Sequence, residues 1–104
     1  RSAKDLEAAE KNFRQALAVR PTLPDALLQM ADLSFERGNA LQARAFLQRY
    51  FQATAETPDA LWLGVRVERA LGDTAAAGDY AARLRKSFPA SEQARQLANA
   101  PAAG

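Results

Sequence analysis

Apolar side chains recur at helical spacing through most of this chain. Ala9, Phe13 and Ala16 share one face of a first segment, Phe46, Tyr50 and Phe51 mark a second, and Tyr80, Leu84 and Phe88 stand at i, i+4 and i+8 in a third. Read with the proline, glycine and capping signals, this pattern predicts about six helices. The first runs from Ser2 or Asp5 to Val19 and stops near Pro21 and Pro24. The second spans 24–37, with Pro24 in its first turn and Asp25 beside its positive N-terminal end. Gly38-Asn39 is the predicted turn, because both residue types tolerate φ > 0. A third helix covers 40–54, and a fourth runs from Pro58 to Leu71, where Gly72-Asp73 turns the chain. The fifth covers 74–87 and is ended by Pro89. Ser91 then caps a sixth, in which Glu92, Gln93, Arg95 and Gln96 surround Ala94 and Leu97. Asn99, Pro101 and Gly104 mark a frayed tail.

The segments repeat. Pro24-Asp25-Ala26-Leu27 returns 34 positions later as Pro58-Asp59-Ala60-Leu61, and Gly38 and Ala43 return at the same offset as Gly72 and Ala77. Upstream, Ala9, Phe13, Ala16 and Pro21 have the spacing A-x3-F-x2-A-x4-P. These residues resemble the tetratricopeptide repeat, a helix–turn–helix unit of about 34 residues. The resemblance implies an all-α, right-handed solenoid of helical hairpins. On this reading a half repeat covers 3–21, full repeats cover 24–57 and 58–91, a capping helix covers 92–100, and 101–104 is a disordered tail. The array is a divergent one. The small residue of the first helix is Ala31 and then Val65, while the second-helix aromatic, Phe13 in the first unit, becomes Leu47 and Ala81. Phe13 and Leu17 are expected to face a further, preceding repeat, so the chain reads as the C-terminal part of a longer solenoid.

Composition agrees with helix. Ala occurs 25 times and Leu 13 times, Ile is absent, and Val and Thr together number 7. Cys and His are both absent, which removes thiol and imidazole catalysis, disulfides and Cys/His zinc sites. No enzymatic activity, cofactor or metal is therefore expected. The net charge is +2, and the longest basic cluster, Arg83, Arg85 and Lys86, is short and carries no interleaved aromatics, so no nucleic-acid partner is expected.

In a tetratricopeptide array the first helices line a concave groove. The resemblance therefore places Leu28, Asp32 and Phe35 of one repeat, and Trp62, Arg66 and Arg69 of the next, on a surface for a protein or peptide partner. Trp and Arg are frequent anchors, because each buries much area while keeping a polar handle. Two readings of Trp62 stand: a groove residue, or a residue packed between repeats. The set differs from the Lys, Arg and Asn ring of co-chaperone carboxylate clamps. Arg44, Arg49, Arg83, Arg85 and Lys86 fall on second helices and are expected to form a solvated convex face, their stems covering apolar surface. Asp25 and Asp59, equivalent by repeat, are expected to cap helices and complement their dipoles. Gly64 and Gly78 lie inside helices, where close approach of a neighbour is the expected reason.

A narrower resemblance rests on Ala60-Leu61-Trp62-Leu63-Gly64-Val65-Arg66-Val67-Glu68, Leu71-Gly72-Asp73, Tyr80-Ala81 and Leu84 through Pro89, with Pro89-Ala90-Ser91 as a stop. This is similar to the last repeat of the PilF/PilW family, the pilotins of type IV pilus biogenesis. The resemblance implies a lipoprotein on the periplasmic side of the bacterial outer membrane that helps a secretin subunit reach that membrane and assemble. Membrane contact is expected only through an N-terminal lipid anchor, which this sequence does not contain. The alternatives are a generic adaptor or a module that self-associates through the apolar seam of the incomplete first repeat.

Overall fold

The computed structural model describes residues 3–99. The alternative helix start at Ser2, the last residue of the predicted capping helix at Ala100, and the tail 101–104 lie outside the described residues. Within them the chain forms six helices and no strand. These are α1 (Ala3–Val19), α2 (Pro24–Glu36), α3 (Ala40–Ala53), α4 (Pro58–Ala70), α5 (Thr74–Ser87) and α6 (Glu92–Asn99). The chain divides after Ala55 into two compact units, α1–α3 and α4–α6. In the first, α2 packs on both α1 and α3; in the second, α4 packs on α5, and α6 packs on both.

The repeat offset holds element by element. α2 and α4 are each 13 residues long, α3 and α5 are each 14, and each pair starts 34 positions apart. The same device closes both hairpins. Gly38 takes φ +81° and Gly72 φ +78°, a backbone region that side chains disfavour. Each glycine N–H donates to the carbonyl three residues back, Phe35 or Arg69. The next N–H, of Asn39 or Asp73, donates to the carbonyl five residues back, that of Ser34 (2.8 Å) or Glu68 (2.9 Å). This satisfies the last carbonyls of the finished helix. Asn39 and Asp73 then cap the helix that follows, their Oδ1 atoms accepting from the Gln42 N–H at 3.2 Å and the Ala76 N–H at 3.0 Å. The turn expectation is thereby corrected in one respect. Only the glycines adopt positive φ; Asn39 sits at φ −103° and serves as a cap.

A second correction concerns Asp25 and Asp59. They lie in the first turns of α2 and α4, where a carboxylate complements the dipole, but they are not caps. The N-cap register falls two positions earlier, at Leu23 and Thr57, and recurs one period on at Ser91. Thr57 Oγ1 accepts from the Ala60 N–H at 3.3 Å and Ser91 Oγ from the Ala94 N–H at 3.1 Å, whereas Leu23 offers no side-chain bond. Asp59 instead accepts a hydrogen bond from Gln93 Nε2, which ties α6 to α4.

Leu27, Met30, Ala31, Leu33, Ala43, Phe46, Leu47 and Tyr50 are buried in the first unit. In the second, Leu61, Leu63, Val65, Val67, Ala77, Ala81 and Leu84 are buried, and Ala94 and Leu97 dock α6. The two departures from the repeat pattern run in opposite directions in volume: Ala31 becomes Val65, while Leu47 becomes Ala81, and all four stay buried. Gly64 has the close neighbour expected of it. A Cβ there would stand 2.9 Å from Tyr80 Cδ2 and 3.0 Å from its Cγ, so the Tyr80 ring lies flat on the bare backbone of α4. Gly78 does not: a Cβ would meet nothing within 4 Å, and the residue is exposed.

These two glycines separate packing from propensity. Gly78→Ala is expected to stabilise by up to about 1 kcal/mol, the helix-propensity difference. Gly64→Ala gains the same propensity but must displace a ring, and overpacking of this kind costs about 1–3 kcal/mol. Urea denaturation should rank Gly64→Ala below the wild type and Gly78→Ala above it. At the hairpin turn, Gly72→Ala should cost about 1–2 kcal/mol, because the replacement must hold positive φ.

Candidate functional site

The groove candidates occupy equivalent stripes on the two first helices. Leu28, Asp32 and Phe35 stand at i, i+4 and i+7 on α2, and Trp62, Arg66 and Arg69 stand at the same spacing on α4. All six are half-buried. Each stripe runs beside a buried one: Leu27, Met30, Ala31 and Ser34 on α2, and Leu61, Gly64, Val65 and Glu68 on α4. The stripes are thus partly accessible edges of otherwise buried helix faces. They differ in chemistry, two apolar residues around a carboxylate on α2 against an indole and two guanidinium groups on α4.

On α4 the Arg66 guanidinium carbon lies 5.6 Å from the centroid of the Trp62 ring, within cation–π range. One turn separates the two residues, so the helix itself sets the contact. Stacking holds the planar guanidinium in one orientation, which lowers the entropy cost of any hydrogen bonds its edge makes. Trp62 is half-buried, so it belongs neither to the sealed core nor to bare surface.

Two of the second-helix arginines, the exposed Arg49 and the half-buried Arg83, also make specific contacts. Arg49 lies over Phe46, 5.6 Å from its centroid, and its Nη2 donates to the Pro21 carbonyl at 2.9 Å. At the equivalent position of the next repeat, Arg83 lies over Tyr80 at 4.9 Å. Its Nε donates to Glu56 Oε2 at 2.8 Å, its Nη2 bonds the same carboxylate, and its Nη1 donates to Asp79 at 2.8 Å. In both units an arginine crosses an aromatic ring three positions before it and ties the second helix to the loop ahead of the first. Burial disfavours the charge on Arg83, but Glu56 and then Asp79 outweigh it and hold the pKa above the ordinary arginine value. That contribution is complete below the ordinary value and fades only above the raised one, so the tie is insensitive to physiological pH. The signal was present in the sequence as Phe46/Tyr80 and Arg49/Arg83, two pairs at the repeat offset. Arg85 and Lys86 are exposed, as expected.

A separate, open cleft of about 590 Å³ lies in the first unit, lined by Glu7, Glu10, Lys11, Arg14, Ala18 and Arg37 among others. Glu10 bridges Arg14 at 3.0 Å and Arg37 at 2.5 Å, joining α1 to the end of α2. None of the groove candidates lines it. Among the described residues, no group of three or more acidic residues is placed to hold a metal ion, and no helix is long and apolar enough to cross a membrane.

The tetratricopeptide repeat profile matches residues 1–66. This chain belongs to the tetratricopeptide repeat family. That family is one of protein-interaction scaffolds. The chain is 26% identical over 83 residues to the type IV pilus assembly protein PilF of Pseudomonas aeruginosa, a match covering 80% of this chain and 33% of PilF. Its fold matches the crystal structure of PilW, a widely conserved type IV pilus biogenesis factor, with a TM-score of 0.84 and 28% identity. That match covers 92% of this chain and 44% of PilW. The structure of Pseudomonas aeruginosa PilF shares the fold at a TM-score of 0.82 and 24% identity, covering 91% of this chain and 43% of the other. This tetratricopeptide chain therefore spans between a third and just under half the length of these relatives.

The arginine tie can be measured by a double-mutant cycle on Arg83→Ala and Glu56→Ala. Both side chains are about 35% exposed, so the coupling expected is about 0.5–1 kcal/mol. A coupling indistinguishable from zero would show the contact to be incidental.

Proposed function

We propose that this chain is a non-catalytic interaction module of type IV pilus biogenesis, and that it acts as pilotins do, assisting a secretin subunit to reach and assemble in the outer membrane. The observation that carries the reading is the match to PilW over 92% of the chain at a TM-score of 0.84 and 28% identity. The Ala60–Glu68 segment of α4, with its Trp62–Arg66 stack, supports it. The site of action is the periplasmic side of the outer membrane. The partner is a protein, and the surfaces offered to it are the stripe Leu28, Asp32 and Phe35 on α2 and the stripe Trp62, Arg66 and Arg69 on α4. Trp62 supplies the apolar anchor, and Arg66 and Arg69 supply directional donors. Its contact with the membrane is indirect, through a lipid anchor elsewhere in the whole protein.

The test is capture of the secretin subunit by the full-length protein, followed by titration with purified variants. Trp62→Ala should weaken binding at least tenfold, about 1.4 kcal/mol, while its stability loss stays below that of Leu61→Ala. Leu61 is fully buried, and truncation there should cost about 2–5 kcal/mol. No secretin capture across a range of salt and pH would count against the pilotin role. Undiminished binding by Trp62→Ala would remove the α4 stripe from the interface.

A further inference from the structure

Two arginines at equivalent repeat positions differ in what their guanidinium groups hold. On α5, Arg83 lies over Tyr80 and its fork is filled. Glu56 accepts from its Nε at 2.8 Å and also from its Nη2, and Asp79 accepts from its Nη1 at 2.8 Å. On α3, Arg49 lies over Phe46 in the same way. Among the described residues its one hydrogen bond runs from Nη2 to the Pro21 carbonyl, and it makes no ion pair. The sequence accounts for the difference. One repeat period before Glu56 and Asp79 stand Thr22 and Ala45, so the first unit keeps the arginine and its aromatic ring but has neither carboxylate. A separate observation is the space at that place. A cavity of about 360 Å³ is lined by Arg49, Pro21, Gln52, Ala53 and Thr22, the counterpart of Glu56. None of the groove candidates lines it.

We propose that this cavity is a binding site for a carboxylate, and that its occupant is a glutamate or aspartate side chain of a partner protein. The chain itself supplies the template: in the second unit the equivalent guanidinium, laid over an aromatic ring, already holds a glutamate side chain. Ring stacking and the Pro21 bond fix the plane of Arg49. An incoming carboxylate therefore meets donors whose orientation is already set. Thr22 and Gln52 add a hydroxyl and an amide to the same wall. Arg49 is exposed, so the contact is screened by salt, and it contributes selectivity at the rim of a larger interface rather than most of its affinity. The site is independent of the α2 and α4 stripes and holds whether or not the partner is a secretin.

The test is an NMR titration at low salt, read at the Arg49 Nε–H, with an acetylated and amidated hexaglutamate peptide, whose carboxylates are all on side chains. The Arg49 signal should shift, and the Arg83 signal, whose carboxylate is in place, should not. Arg49→Gln should weaken binding about threefold more than Arg85→Gln, which removes the same charge from another exposed position. Thr22→Glu should close the site from within. It should raise the melting temperature by about 2–5 °C and abolish the shift at Arg49, while Thr74→Glu, which adds the same charge elsewhere, should leave that shift in place. An Arg49 signal that does not move overturns the proposal. So does a Thr22→Glu chain that is neither stabilised nor blocked, or an equal loss in Arg49→Gln and Arg85→Gln. Two further titrations at the same concentration identify the source of the anion: a hexaglutamine peptide with a free C-terminal carboxylate, and inorganic phosphate. An equal or larger Arg49 shift with either overturns the assignment to an acidic side chain. A shift on raising the protein concentration alone makes a second copy the occupant and overturns it as well.

Discussion

The structure depends on how each helical hairpin is closed. Two residues do it: a glycine at positive φ that lets the last turn of one helix satisfy its own carbonyls, and an Asn or Asp that caps the next. Because both jobs are local, the turn needs nothing from distant parts of the chain and can be reused one period later without change. The hairpin then presents one apolar face per helix, and burial of those faces supplies the stability that a lone 13-residue helix lacks in water. Divergence is tolerated inside this frame. Ala31 and Leu47 in one repeat give way to Val65 and Ala81 in the next, and Met30 gives way to Gly64, whose bare backbone receives the Tyr80 ring.

The same frame shapes the surface. Once the buried stripe of a first helix is set, the neighbouring i, i+4, i+7 positions are half-buried by geometry, and their chemistry is free to change. In this chain they change from Leu, Asp and Phe to Trp, Arg and Arg. The frame belongs to the tetratricopeptide family, and the likeness to the pilus biogenesis factors runs over most of the chain. Arg49 and Arg83 are a further use of the repeat, each laid over an aromatic ring and anchored to the preceding loop.

Most of the fold was legible in the sequence because its signals are local. Pro24 and Pro58 start helices, Gly38 and Gly72 end them, and a constant offset between such markers has few explanations other than a repeat. The helix limits predicted from them differ from the observed ones by a residue at several C-termini, where Arg37 and Leu71 act as caps. What was not legible depends on contacts between elements. Asn39 tolerates positive φ and also caps helices, and composition does not choose between the two. Gly64 and Gly78 look alike in sequence, yet only one faces a ring. The ties of Arg49 and Arg83 were not legible because their partners, Pro21 and Glu56, lie far back along the chain, beyond any local pattern. For the candidate site, the stripes could be numbered from the period, but the Trp62–Arg66 stack and the half-burial of all six residues emerged only from the structure.

Amide hydrogen exchange across the whole chain tests the central claim most directly. Two hairpins built by one device should give a protection profile that recurs with the period of the repeat. The turn amides of Asn39 and Asp73, bonded to Ser34 and Glu68, should be protected alongside the helix interiors. A profile without that recurrence, or turn amides that exchange as freely as those of an open loop, would contradict the account.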